Sequence, residues 1–155
     1  MSTNSFIGII ENNIIKGIYC HFNGFLEGNG KMLFEHYQDD DKIKNLISLG
    51  SISCLNKEVN PTENHDFDHP QKDVVIAYHR DRGEELEIDM FDNIKDFKQY
   101  VNSFCFQYSY IRYNKKWYVV KNINETTIDC IELNVALQNV NKAINEYSEC
   151  QQITI

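Results

Sequence analysis

Two pairs of β-branched or aromatic runs, each joined by a short link that carries asparagine, constrain this chain more than any other feature. Gln107-Tyr108-Ser109-Tyr110-Ile111-Arg112-Tyr113 alternates aromatic and polar residues, and Asn114-Lys115 leads directly into Lys116-Trp117-Tyr118-Val119-Val120. Alternation with a period of two marks a strand, and a two-residue connection between two such runs needs the positive φ that asparagine tolerates. Near the N-terminus Phe6-Ile7-Gly8-Ile9-Ile10 and Ile14 to Cys20 repeat the arrangement across Glu11-Asn12-Asn13. A chain built this way is expected to fold around antiparallel hairpins.

Helical spacing fills the intervals. Leu33, Phe34 and Tyr37 share one helical face, and Asp39-Asp40-Asp41 precedes Ile43, Leu46 and Ile47 where negative side chains suit a helix N-terminus. Asn93 can cap a helix carrying Ile94, Phe97, Tyr100 and Val101, with Asp96 at the third position of a weak capping box. From about Asp129 onward Leu133, Leu137, Val140, Ile144 and Tyr147 recur at spacings of four and three, which predicts an amphipathic helix. Ser51–Leu55 reads as a short strand, residues 56–73 as a long loop holding both prolines, and Val74–Tyr78 with Leu86–Met90 as a further hairpin. The expected fold is α+β: an antiparallel sheet of hairpins covered on one face by helices, with a C-terminal amphipathic helix. Residues 1–125 form the single α+β domain, and residues 126–155 a helical extension packed on it or on a partner.

Composition narrows the function classes. The 155 residues, 42% hydrophobic, suffice for one domain, and 7 Gly with 2 Pro exclude a collagen-like, mucin-like or wholly disordered chain. With 23 acidic against 15 basic residues the net charge is -8, which disfavours gripping a long nucleic acid. No stretch approaches the roughly 20 apolar residues that span a bilayer, and Met1–Ser5 lacks a charged secretory start. A cytoplasmic protein with no membrane partner is therefore expected. Cys20, Cys54, Cys105, Cys130 and Cys150 are odd in number and scattered, so they predict packed thiols, with neither a disulfide framework nor a metal knuckle.

The run Gly17-Ile18-Tyr19-Cys20-His21-Phe22-Asn23-Gly24-Phe25-Leu26-Glu27-Gly28-Asn29-Gly30 resembles the Y-C-H-W-D-G-Y-P-x-G-x-G motif of small, largely uncharacterised bacteriophage and prophage proteins. Here Phe22 stands for Trp, Asn23 for Asp and Leu26 for Pro. The order of later features is also similar: Leu46 to Ser53, His65-x-Phe67-Asp68, Tyr78-x-Arg80-Asp81-Arg82-Gly83-Glu84, and the Tyr108 to Val119 hairpin. The resemblance spans about residues 5–120 and implies a role in taking over the host or blocking its defences, in the host cytoplasm.

Four groups of residues are candidates for chemistry. The glycine loop, with His21, Asn23, Gly24, Gly28, Gly30 and Lys31, follows a strand and opens a helix, the setting in which backbone N–H groups bind an anion. Gly24 and Gly30 bracket five residues and Met32 follows Lys31, so the nucleotide-binding loop pattern is not met. His79, Arg80 and Arg82 stand beyond a buried strand, where the arginines either hold a phosphate bidentately or pair locally with Asp81 and Glu84. His21, His36, His65, His69 and His79 with Asp66 and Asp68 raise a metal hypothesis, although neither an HExxH nor a Cys-Cys-His-His pattern occurs. Tyr108, Tyr110, Tyr113, Trp117 and Tyr118 offer a platform for stacking a base, or else cross-strand pairs beneath a helix.

The preferred reading is a non-enzymatic phage-type effector that binds and neutralises a host defence component. It either sequesters a small nucleotide signal, gripped by the glycine loop with His79, Arg80 and Arg82, or blocks a host protein with its acidic surface. No catalytic residue, metal or cofactor is assigned, and a homodimer through the C-terminal helix is a further partner. The alternative is a metal-dependent nuclease or phosphodiesterase using the His/Asp-rich loop.

Overall fold

The computed structural model describes residues 2–155. Nine strands form one open, mostly antiparallel sheet: β1 Ser5–Glu11, β2 Ile14–Cys20, β3 Ile52–Cys54, β4 Ile76–Ala77, β5 Asp89–Phe91, β6 Tyr108–Tyr113, β7 Lys116–Ile123, β8 Ile128–Glu132 and β9 Gln151–Ile153. Their order is β4-β3-β2-β1-β6-β7-β8-β9, with β5 also paired to β2. The helices are α1 Lys31–His36, α2 Asp40–Ser48, α3 Tyr78–Arg82, α4 Ile94–Phe104 and α5 Leu133–Gln138. Among the described residues none of the helices is long and apolar enough to cross a membrane.

Two of the three expected hairpins form. Asn12 and Asn13 join β1 to β2, Asn114 and Lys115 join β6 to β7, and all four residues have φ between 49° and 64°. The hairpins meet through β1 and β6, which pair in parallel from Ser5↔Tyr108 to Ile9↔Arg112. That places β1 at the sheet centre and explains its composition. Ile7 and Ile9 belong to one core cluster, with Leu33, Tyr37, Leu46 and Trp117, whereas Phe6 and Ile10 belong to another, with Ile94, Phe97 and Tyr118. An uninterrupted apolar strand is what burial on both faces requires. The expectation of helices on one face is thus corrected: α1, α2 and α5 contribute to one cluster and α4 to the opposite one.

Gly8 faces Gly17 across β1 and β2, and the Phe6 ring occupies the space their missing side chains leave. A Cβ on Gly17 would stand 2.3 Å from Phe6 Cζ and 2.6 Å from the Ile7 carbonyl oxygen. The ring then packs on Phe97 at 5.2 Å between centroids. α4 begins as its sequence predicts: the Asn93 side chain accepts the Asp96 amide at 2.8 Å.

Two further expectations are corrected. Val74–Tyr78 and Leu86–Met90 do not pair with each other; β4 pairs with β3, and β5 with β2. The sequence between them is taken up by α3 and an extended acidic segment, too long and too constrained for a hairpin turn. Nor is the C-terminal region one amphipathic helix. It runs through β8, the short α5, a 3-10 turn at Ile144–Glu146 and β9, extending the same sheet beyond β7. Asn134, Asn139, Asn141 and Asn145 weaken helix continuation, while Ile128, Cys130 and Ile153 gain burial as strand residues. Leu137, Val140, Ile144 and Tyr147 still pack against the core, half-buried, although the continuous seam proposed for dimerisation is not formed.

Candidate functional site

The glycine loop is a π-helical turn, Leu26–Gly30, leading into α1. Its amides are engaged internally: Gly24 N–H donates to Thr3 O, Gly28 and Gly30 N–H to Phe25 O, Asn29 N–H to Asn23 O, and Lys31 N–H to Leu26 and Gly28 O. Close packing accounts for the glycines. A Cβ on Gly24 would lie 2.5 Å from Asn4 O, and one on Gly28 2.3 Å from Asn23 O, while Gly30 lies beneath the Tyr110 ring. Tyr110 in turn donates its hydroxyl to Gly24 O at 2.6 Å. Asn23 adopts φ 60°, Lys31 is exposed, and His21 Nδ1 meets the Tyr19 hydroxyl. This geometry gives the loop a structural task, with the amides assigned to an anion already donated.

Behind the loop, the buried Asn29 amide donates to Ser5 Oγ at 3.1 Å, Cys20 Sγ at 3.3 Å and Phe22 O at 3.0 Å. Burial pushes the Cys20 thiol up to about 12, against the Asn29 hydrogen bond that favours the thiolate. The thiol therefore stays protonated at neutral pH and is no nucleophile. Iodoacetamide at pH 8 is expected to label the exposed Cys105 and Cys150 of the native protein and leave Cys20 unmodified. Peptide mass spectrometry reads this directly, and labelling of Cys20 at the rate of Cys105 would refute it.

His79, Arg80 and Arg82 all lie on α3, and they do not converge on the glycine loop. β2 runs parallel to β3 and leaves it toward Ser53, whereas β4 runs antiparallel to β3 and delivers α3 beside Ser51. Arg80 is spent on the fold: Nε donates to Asp81 Oδ1 at 2.8 Å, Nη1 to Val59 O at 2.7 Å, and Nη2 to Val75 O and Asp81 Oδ2 at 2.7 and 3.1 Å. Arg82 pairs with Glu84 and lies over the Phe67 and Tyr78 rings, 4.0 and 5.2 Å from their centroids. His79 Nδ1 donates to Glu84 O at 2.7 Å. Local pairing, one of the two outcomes open from the sequence, is the arrangement found.

The His/Asp-rich loop is held by the same network. Gln71 N–H donates to His65 Nδ1 at 2.9 Å, so that nitrogen carries a lone pair and Nε2 carries the proton, which goes to Asp81 Oδ2 at 3.0 Å. Asp81 Oδ2 also accepts the Ala77 amide at 2.7 Å. Burial alone would raise the Asp81 carboxyl, but the hydrogen bonds from Arg80, Ala77 and His65 outweigh it and hold the group below its ordinary value. The His65 and Asp81 side chains are 1% and 2% exposed, so neither faces a ligand. Among the described residues no three His, Cys, Asp or Glu side chains gather as a metal site. The aromatic platform is likewise absorbed by the core, with Trp117 Nε1 donating to Tyr37 O at 2.7 Å and Tyr110, Trp117 and Tyr118 buried.

What the sequence reading missed lies on the α4 side of the sheet, where β2 changes neighbours. β5 pairs with β2 at Ile15–Gly17 and β3 at Cys20, and the sheet parts between them. A cleft of 640 Å³ opens there, lined by Asn4, Tyr19, Ser51, Tyr78, Glu84, Glu85, Glu87, Asp89, Tyr100 and Phe104. Its aromatic wall continues from Tyr100 to Phe104 at 4.8 Å, to Phe106 at 5.5 Å, and from Phe106 to Tyr19 at 5.9 Å. Tyr100 donates its hydroxyl to Asp89 Oδ2 at 2.8 Å. Burial, that hydrogen bond, and the charges of Asp89 and Glu87 push the phenol far above its ordinary value, so it remains a donor. The one sequence signal was the alternation of Glu85, Glu87 and Asp89, which turns three carboxylates the same way along an extended segment.

Compared with known proteins, the chain matches no family model, no curated protein and no solved structure.

Proposed function

We propose that this chain is a non-enzymatic effector of the phage type that neutralises a host component by occupying a protein surface, rather than by sequestering a nucleotide. The observation that carries the choice is the aromatic, acidic cleft at the parting of β3 and β5, whose lining includes four carboxylates and no basic side chain. A phosphate would be repelled there, whereas a basic protein surface would be attracted. The commitment of Arg80 and Arg82 to internal partners weighs the same way, since the nucleotide reading needed both guanidinium groups. His65, with each ring nitrogen already engaged, gives no support to a nuclease or phosphodiesterase.

Phage plating tests the proposal. Expressed in a bacterium whose defence restricts an infecting phage, the chain is expected to restore plating, and Glu85→Lys with Glu87→Lys to abolish the effect while leaving the melting temperature within a degree or so. In parallel, cyclic nucleotides and ADP-ribose derivatives are expected to leave the melting curve unmoved. A nucleotide at 100 times its dissociation constant stabilises its binder by about 2.7 kcal/mol, a shift large enough to overturn the surface reading in favour of sequestration.

A further inference from the structure

We propose that the cleft receives an arginine side chain presented by a basic segment of the partner protein, an inference that rests on the surface-blocking reading above and names the chemistry of its contact.

The cavity has the two walls that a guanidinium recognises. Tyr78, Tyr100 and Phe104 supply aromatic surface, and Phe104 is 52% exposed on a helix whose other large apolar side chains pack inward. Along the extended segment opposite, Glu85, Glu87 and Asp89 form no ion pair with any described lysine, arginine or histidine. A planar cation can stack on the aromatic faces while its N–H groups reach a carboxylate, and a guanidinium does both at once where an ammonium does not.

The protein already contains one such arrangement. Arg82 lies over Tyr78 and Phe67 and pairs with Glu84, and two of those partners, Tyr78 and Glu84, also line the cleft. The same aromatic and acidic elements continue past Arg82 into the cavity, whose lining holds no lysine, arginine or histidine among the described residues.

Calorimetric titration of the full chain with an acetylated, amidated tetra-arginine peptide, its lysine counterpart and its citrulline counterpart provides the test. Arginine is expected to bind, lysine more weakly and citrulline not at all, with binding weakened as ionic strength rises to about 0.15 M. Glu85→Gln with Glu87→Gln should weaken the arginine peptide by about tenfold or more. The charge-matched pair Glu27→Gln with Glu35→Gln, beside and on α1 and remote from the cleft, should leave it unchanged. Asp89→Asn serves as a further variant only where its melting curve matches wild type, because Tyr100 depends on that carboxylate. Binding of the citrulline peptide, equal losses from both Glu pairs, or no binding by wild type each overturns the inference. If wild type restores plating yet ignores the peptide, the cleft assignment fails and the surface-blocking reading stands. If it binds the peptide yet never restores plating, the reverse holds.

Discussion

Asp81→Asn is expected to cost about 3–5 kcal/mol, the range for removing one member of a buried ion pair and leaving the other charge uncompensated. Three donors converge on Asp81 Oδ2, from His65, Ala77 and Arg80, and a fourth bond from Arg80 reaches Oδ1. An amide in that place turns its own N–H groups toward donors, and the Arg80 cation loses its counter-charge. The damage extends to residues 59–71, because Arg80 holds Val59 O and His65 holds the Gln71 amide. The carboxyl lies below its ordinary value near 3.8, so its stabilisation is complete above that pH and is lost as pH falls through the depressed folded value. Urea titrations followed by Trp117 fluorescence should therefore show a wild-type advantage over the variant that is constant from pH 7 to 5 and shrinks below 3.8. An Asp81→Asn midpoint indistinguishable from wild type at pH 7 would remove the network from its central place in the fold.

Gly17→Ala is the second substitution with a large expected effect, about 1–3 kcal/mol or more, as overpacking in a closed core costs. The added methyl group meets both Phe6 Cζ and the Ile7 carbonyl oxygen, and the latter is backbone of the central strand that cannot move without disturbing β1. Phe6→Leu in the Gly17→Ala background is expected to recover part of the loss, although Phe6→Leu alone destabilises. Simple additivity of the two changes would show that the ring does not depend on the glycine gap. Gly83→Ala makes an informative contrast, since nothing lies within 4 Å of its Cβ and only its φ of 74° opposes the change.

The features legible in the sequence are those settled within a few residues of themselves. Asn12-Asn13 and Asn114-Lys115 mark their turns because the backbone there demands positive φ, and Asn93 with Asp96 marks the start of α4 because the cap bonds to its own first turn. Errors appear where distant segments choose each other. The four-and-three spacing from Leu133 to Tyr147 is genuine, but pairing of Ile128–Cys130 with Gln151–Ile153 outweighs it. Val74–Tyr78 and Leu86–Met90 each looked like half of a hairpin and instead supply β4, which pairs with β3, and β5, which pairs with β2. The arginines on α3 could be read as phosphate ligands or as local pairs, and only the fold reveals Val59 O and Val75 O as acceptors for Arg80. The cleft was hidden for the same reason: Tyr19, Tyr78, Asp89 and Tyr100 come from four elements that meet only where the sheet divides.

The parallel union of β1 with β6 also governs the order in which a growing chain can complete itself. Ser5 to Ile9 must wait for Tyr108 to Arg112, so during synthesis the N-terminal hairpin leaves the ribosome with its most apolar strand lacking one neighbour for about a hundred residues. An open edge of that kind pairs readily with another nascent copy. At high expression and high temperature, slow translation between Glu11 and Phe104 should therefore favour aggregates nucleated by β1.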